Sequence, residues 1–167
     1  MPQLSAKITD ALNQQINDEL SSAYAYLAMA AWTDTQNLSG SAHWLRLQWQ
    51  EELGHATKLI DYMAERDGKI VLKAIPQPAA TFTSLLQLFE TVLEQERSVT
   101  ASIYRIYDLA VSEKDYAAQA LLQWYVEEQV EEENSASEII SMLKLAGDSG
   151  SGLLMVDRQL AARAGAS

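Results

Sequence analysis

Apolar residues recur at helical spacing through most of the chain. Between residues 5 and 34 the stripe runs Ile8, Leu12, Ile16, Ala23, Leu27 and Ala30, which is the period of one helix face. The polar stretch TDTQNLSGS, residues 33–41, interrupts it. A second stripe, Leu45, Trp49, Ala56, Leu59 and Met63, predicts a helix over 40–67, with Gly68 placed to cap its C-terminus. KIVLKAIPQPAATFT follows, with two prolines and no helical period. Ser84 and Gln87 have capping-box spacing and open a third helix over 84–111. VSEKD separates this helix from a fourth over 114–146, closed by Gly147. After DSGSG, the residues Leu153, Leu154, Val156 and Leu160 predict a short amphipathic helix over 150–163.

Helices of nearly 30 residues measure about 40–45 Å at ~1.5 Å per residue. Short loops make hairpins of the first and last pairs. The connector between them stretches to about 50 Å at ~3.3 Å per residue, enough to travel the length of a bundle. The expected fold is all-α: a four-helix bundle with one long crossover and a short C-terminal fifth helix. With 167 residues, 48% of them hydrophobic, the chain suits one domain with a sizeable core.

Charge narrows the partners. A net charge of −11 repels nucleic acid and anionic membranes and suits cations. The absence of cysteine excludes disulfides, thiolate metal sites and cysteine nucleophiles. MPQLSAKITDAL lacks the apolar run of a signal peptide, and no stretch reaches membrane length, so a cytoplasmic protein is expected.

Each long stripe is broken near its middle by an acid. Glu19 lies between Ile16 and Ala23, with Tyr26 two turns on. Glu52 falls on the apolar side of the second helix, and His55 follows one turn later. Glu96 is in register with Phe89, Leu93, Val99 and Ile103. Glu128 and Glu132 align with Leu121, Tyr125, Ala136 and Leu143, with Glu131 at the edge. Midpoints of similar-length helices share one level, so these acids converge.

An uncompensated buried charge costs several kcal/mol, against about 5–15 kcal/mol for a whole domain. No basic residue occupies an inward position at this level; Lys58 and Arg97 fall on other faces. Glu19, Glu52, Glu96 and Glu132 sum to −4, which two divalent cations balance. Oxygen-rich ligation with a single imidazole suits iron or manganese better than copper or zinc. Glu52 and His55 are three apart and share a helix face. Alone, that spacing is common; with mid-helix acids on three other stripes it points to a metal centre. Glu51, Glu127 and Glu133 are read as solvated or supporting, His43 as a surface or interface residue, and Met63 and Met142 as packing.

At these residues the chain resembles the bacterial non-haem ferritins along essentially its full length. The resemblance rests on NDELSSAYAYLAMA, WQEELGHATKLIDY, Glu96, LLQWYVEEQVEEE and SGSGLLMVDRQL. It implies a hollow cage of 24 subunits that stores ferric mineral, with a ferroxidase centre inside each bundle. Fe2+ and O2 or H2O2 are then the partners. Glu19, Glu52 and His55 correspond to the first iron site. Glu52, Glu96 and Glu132 correspond to the second, with Glu52 bridging. Glu51, Glu128, Glu131 and Glu132 match a third iron site toward the cavity, and Gln129 is a neighbour. Tyr26 corresponds to a tyrosine that can supply an electron, with Trp124 a possible participant.

Three relatives fit less well. Bacterioferritins carry a second Glu-x-x-His where this chain reads Glu128-Gln-Val-Glu131, and a haem-ligating methionine where it has Leu53, so no haem is expected. Rubrerythrins need cysteine. The DNA-protecting mini-ferritins lack the fifth helix. Glu127 is a departure that adds charge to an already acidic run. Two other readings are a di-iron or manganese oxidase or oxygenase acting on an organic substrate, and a helical interaction module whose inward acids are incidental.

Overall fold

The computed structural model describes residues 3–165 and contains five helices. They are α1 (Ala6–Thr35), α2 (Ser39–Glu65), α3 (Leu85–Ser112), α4 (Tyr116–Ala146) and α5 (Gly150–Ala161). Among the described residues there is no strand, and no helix is long and apolar enough to cross a membrane.

Four of the helix starts are capped locally, each by an oxygen that takes one of the first free N–H groups. Ser5 accepts from Ile8 at 3.2 Å, Asp115 from Ala118 at 3.0 Å and Ser149 from Gly152 at 3.1 Å. Ser84 accepts from the Gln87 N–H at 3.0 Å, while the Gln87 side-chain Oε1 reaches back to accept from the Thr83 N–H at 3.2 Å, one residue before the cap. Leu38, which precedes α2, offers no side-chain cap. Asp157 of α5 supplies it, accepting from the N–H groups of Gly40 at 3.0 Å and Ser41 at 2.7 Å.

The end of α2 differs from the sequence expectation. The left-handed residue is Asp67, with φ 52°, and not Gly68. The Gly68 N–H then bonds to the Met63 carbonyl at 2.8 Å, and the Asp67 N–H to Ala64 at 3.2 Å, so glycine occupies the position after the strained one. Asn37 (φ 59°) and Lys114 (φ 55°) end α1 and α3 in the same way. Gly147, with φ 54°, closes α4 as expected.

Helices α1 and α2 form one antiparallel hairpin, α3 and α4 the other, and α1 packs on α3. The crossover lies along α1. At one end the buried Asn13 accepts from the Val71 N–H at 2.7 Å and donates to the Lys69 carbonyl at 2.8 Å. At the other, Phe82 packs edge-on against Trp32 with ring centres 5.4 Å apart. Those α1 positions are about 28 Å apart along the helix at ~1.5 Å per residue. Arg66 and Asp115 join the end of α2 to the start of α4 by an ion pair of 3.0 Å.

The apolar interior divides in two. One half gathers Ile8, Leu12, Ile16, Leu59, Met63, Val99, Ile103, Leu122 and Tyr125. The other gathers Tyr26, Met29, Ala30, Leu45, Leu88, Phe89, Val92, Ala136 and Ile140, and reaches Val156 and Leu160 of α5. On every long helix the break between halves falls at the inward acid. Glu19, Glu52, Glu96 and Glu132 therefore form a polar layer across the middle of the bundle.

Candidate metal centre

Each of the four long helices contributes to this layer from its interior. Glu19, Glu52 and Glu96 are 1% exposed, His55 5% and Glu132 6%. Glu19, Glu52 and His55 bring one ligand atom each to within 4.8 Å of one another, and His55, Glu128 and Glu132 form a second such group. The His55 Nδ1 stands 3.7 Å from a Glu52 oxygen and 3.9 Å from a Glu19 oxygen, beyond hydrogen-bond reach. Glu19 Oε2 and Glu52 Oε1 are buried with no hydrogen-bond donor. Such orphans are rare in folded proteins and ask for a partner.

Three buried carboxamides donate to Glu19, Glu132 and Glu96. Gln15 donates to Glu19 at 2.8 Å, Gln48 to Glu132 at 2.7 Å and Gln129 to Glu96 at 3.2 Å. The Tyr26 hydroxyl donates to Glu96 at 2.5 Å. Tyr125 donates to the backbone carbonyl of His55 at 2.7 Å, steadying the turn that carries the imidazole. Trp124 packs edge-on against the His55 ring, 5.4 Å between centres.

Burial dominates the electrostatics, because a low-dielectric interior disfavours the charged form of every group. It pushes Glu19 up to about 7, with the neighbouring Glu52 carboxyl and the Gln15 amide opposing the rise and the Glu96 and Asp18 charges adding to it. Glu52 is held well above the usual carboxylate range by burial and then by the charges of Glu19 and Glu96. Glu96 is raised by burial against the hydrogen bonds of Tyr26 and Gln129. Glu132 rises to about 8 through burial and the Glu96 charge, with Gln48 and Arg163 pulling the other way. Burial and then Lys58 lower His55 to about 4, so its imidazole is neutral at ordinary pH and its lone pair is free.

The outer acids occupy a different setting. Glu128 is half-buried and raised by burial and by the charges of Glu131 and Glu51. Glu131 is exposed. Glu51 falls in neither three-residue group and is paired instead with Arg163 at 2.7 Å. Glu127 is also exposed and accepts from Gln123 at 3.0 Å. His43, expected at a surface or interface, is bonded through Nε2 to the Arg163 carbonyl at 2.9 Å.

Sequence reasoning passed over Gln15 and Gln48. Their signal was available: each lies four residues before a cluster glutamate, on the same face of the same helix.

A bundle whose long helices each turn a carboxylate inward at one level, one of them as Glu-x-x-His, has the architecture of the di-metal carboxylate proteins. The ferritin-like domain family matches residues 9–146. A bacterial non-heme ferritin of Staphylococcus saprophyticus is 41% identical over 160 residues, covering 96% of each chain. A probable bacterial non-heme ferritin-like protein of Haemophilus influenzae is 40% identical over 94% of this chain and 95% of its own. The open-pore ferritin of the archaeon Archaeoglobus fulgidus superposes with a TM-score of 0.95 at 46% identity, covering 97% of this chain and 99% of that one. The chain belongs to the ferritin family.

Proposed function

We propose that the protein is an iron-storage ferritin whose bundle oxidises Fe2+ as its substrate. The observation that carries this reading is the pair of donorless oxygens, Glu19 Oε2 and Glu52 Oε1, beside a neutral imidazole between two apolar half-cores. Glu19, Glu52 and His55 place one Fe2+. Glu52, Glu96 and Glu132 place a second, with Glu52 spanning both. Glu128 and Glu131, with Glu51 and Glu132, provide an outer position through which a third iron passes toward the storage cavity.

Four carboxylates and two Fe2+ balance in charge, and anionic oxygen ligands favour Fe3+ over Fe2+. Each Fe2+ gives up one electron. O2 takes both with two protons and leaves as H2O2; alternatively H2O2 takes both with two protons, its O–O bond breaks, and two waters leave. The protons that the raised Glu19, Glu52 and Glu132 carry before iron enters are displaced as it binds. Tyr26 can return one Fe3+ to Fe2+, the phenol losing one electron to that iron and its proton to Glu96 across their 2.5 Å bond.

Storage in a cage is supported by large apolar residues left exposed on the single chain. Leu72, Tyr116, Leu145 and Met155 are 65%, 75%, 92% and 72% exposed, and contacts with further copies would bury such side chains.

Anaerobic Fe2+ titration of the iron-free protein, followed by rapid mixing with O2, tests the reading. Fast oxidation should saturate near two irons per subunit and be lost in Glu52→Ala. Wild-type rates in that variant would overturn the bridging role, and a native particle of one or two subunits would overturn the cage.

A further inference from the structure

The segment after α5 returns to the carboxylate layer and brings a cation with it. Arg163 donates to Glu51 at 2.7 Å, and its guanidinium lies 4.7 Å from the centre of the Trp44 ring. Its own carbonyl is bonded to His43, so both ends of the residue are fixed to α2. Arg163 also pulls on Glu132, so its charge is felt inside the layer as well as at its edge.

Glu51 is thus the one acid of the outer group with a cation firmly seated on it. Beside it, His55 is nine-tenths buried, with its Nδ1 3.7 Å from Glu52 and 3.9 Å from Glu19, and lies within ligand distance of Glu128 and Glu132. One side of this outer position is therefore open to a cation while the other is occupied by the chain's own.

We propose that Arg163 is a displaceable counter-ion of Glu51, which a metal cation must expel to use that carboxylate at the outer position. The inference rests on the outer site proposed above. The cation–π contact with Trp44 gives the guanidinium a place to remain when its carboxylate is taken. The arrangement keeps Glu51 turned away from the two inner positions, and it couples departure of the cation to docking of the α5 tail. By reciprocity, whatever loosens the tail should strengthen metal binding at Glu51 by the same factor.

The test is calorimetric titration of the assembled, iron-free protein with Zn2+, a cation without redox chemistry, comparing wild type with Arg163→Gln. The weakest zinc per subunit should bind about fivefold more tightly in the variant, the size expected for removing one half-exposed ion pair. The two tighter zincs should tighten by a smaller factor, because Arg163 reaches Glu132 only through its charge and pairs directly with Glu51. A merely structural role would give the opposite sign, since loosening the tail would weaken the site. An unchanged or weaker third affinity overturns the proposal while leaving the outer site in place. If neither protein takes a third zinc, the outer site fails with it, whereas two zincs lost in Glu52→Ala would still uphold the inner centre. Should Arg163→Gln not assemble, hydrogen exchange on wild type decides: saturating Zn2+ should speed amide exchange at residues 162–165 severalfold, and unchanged protection there overturns the proposal.

Discussion

Glu19 and Glu132 carry the sharpest consequence at the scale of single residues. Both are raised by burial, to about 7 and about 8, so the folded protein holds protons that the unfolded chain has released. A carboxyl raised in the fold stabilises it fully below the unfolded value, near 4.5, and that contribution disappears as pH climbs through the folded one. His55 works oppositely, because its value is lowered to about 4: its contribution is complete above the unfolded value, near 6.5, and shrinks as pH falls. From pH 6.5 upward the imidazole is neutral in the fold and loses only its remaining half proton in the unfolded chain, a small opposing gain, so the carboxyls dominate. The metal-free protein should therefore lose on the order of 2 kcal/mol between pH 6.5 and 8.5. Thermal unfolding in the presence of a chelator, at fixed protein concentration, measures this. Glu19→Gln keeps the bond from Gln15 and removes one ionisation, so its slope should be shallower; an equal slope would show that Glu19 does not titrate in this window.

Helix α5 shows what an element does beyond its own length. Its Asp157 is buried against the first turn of α2, taking two backbone N–H groups and the Ser41 hydroxyl at 2.7 Å. A carboxylate there also meets the positive end of the α2 dipole. The approach is so close that a Cβ on Gly40 would stand 1.8 Å from the Asp157 carbonyl oxygen. Asp157→Ala should cost about 1–2 kcal/mol, the usual worth of a helix cap, and should raise amide exchange at residues 39–42 and in α5 together. If exchange rose in α5 alone, the cap would be incidental to α2. This element also marks the limit of what the sequence conveys. The five helices were legible because their apolar period is long and their ends carry Ser, Asp and Gly. The inward acids were legible because each interrupts a stripe. A cap that arrives from 116 residues away has no local signal, nor does the Arg163–Glu51 pair. Asp67 in the left-handed position was missed because a glycine stood next to it.

Across the whole molecule, the two apolar half-cores supply the stability and the layer between them draws on it. Without metal, the raised carboxyls of that layer keep protons that reduce its charge. Cations and protons then compete for the same oxygens, so the direction of the pH effect should depend on which is present. A ligand that binds only the folded state adds stability as RT ln(1 + [L]/Kd), about 2.7 kcal/mol at a hundredfold excess over Kd. Because Kd itself falls as Glu19, Glu52 and Glu132 give up their protons, the gain from a fixed concentration of Zn2+ should be larger at pH 8.5 than at pH 6.5. The unfolding midpoint of the zinc-loaded protein should then stay level or rise across an interval in which the chelated protein declines. Binding should also release protons, and more of them at the lower pH, which titration in two buffers of different ionisation enthalpy would count. An identical zinc-induced rise at both pH values, with no proton release, would mean that the cation binds outside the carboxylate layer.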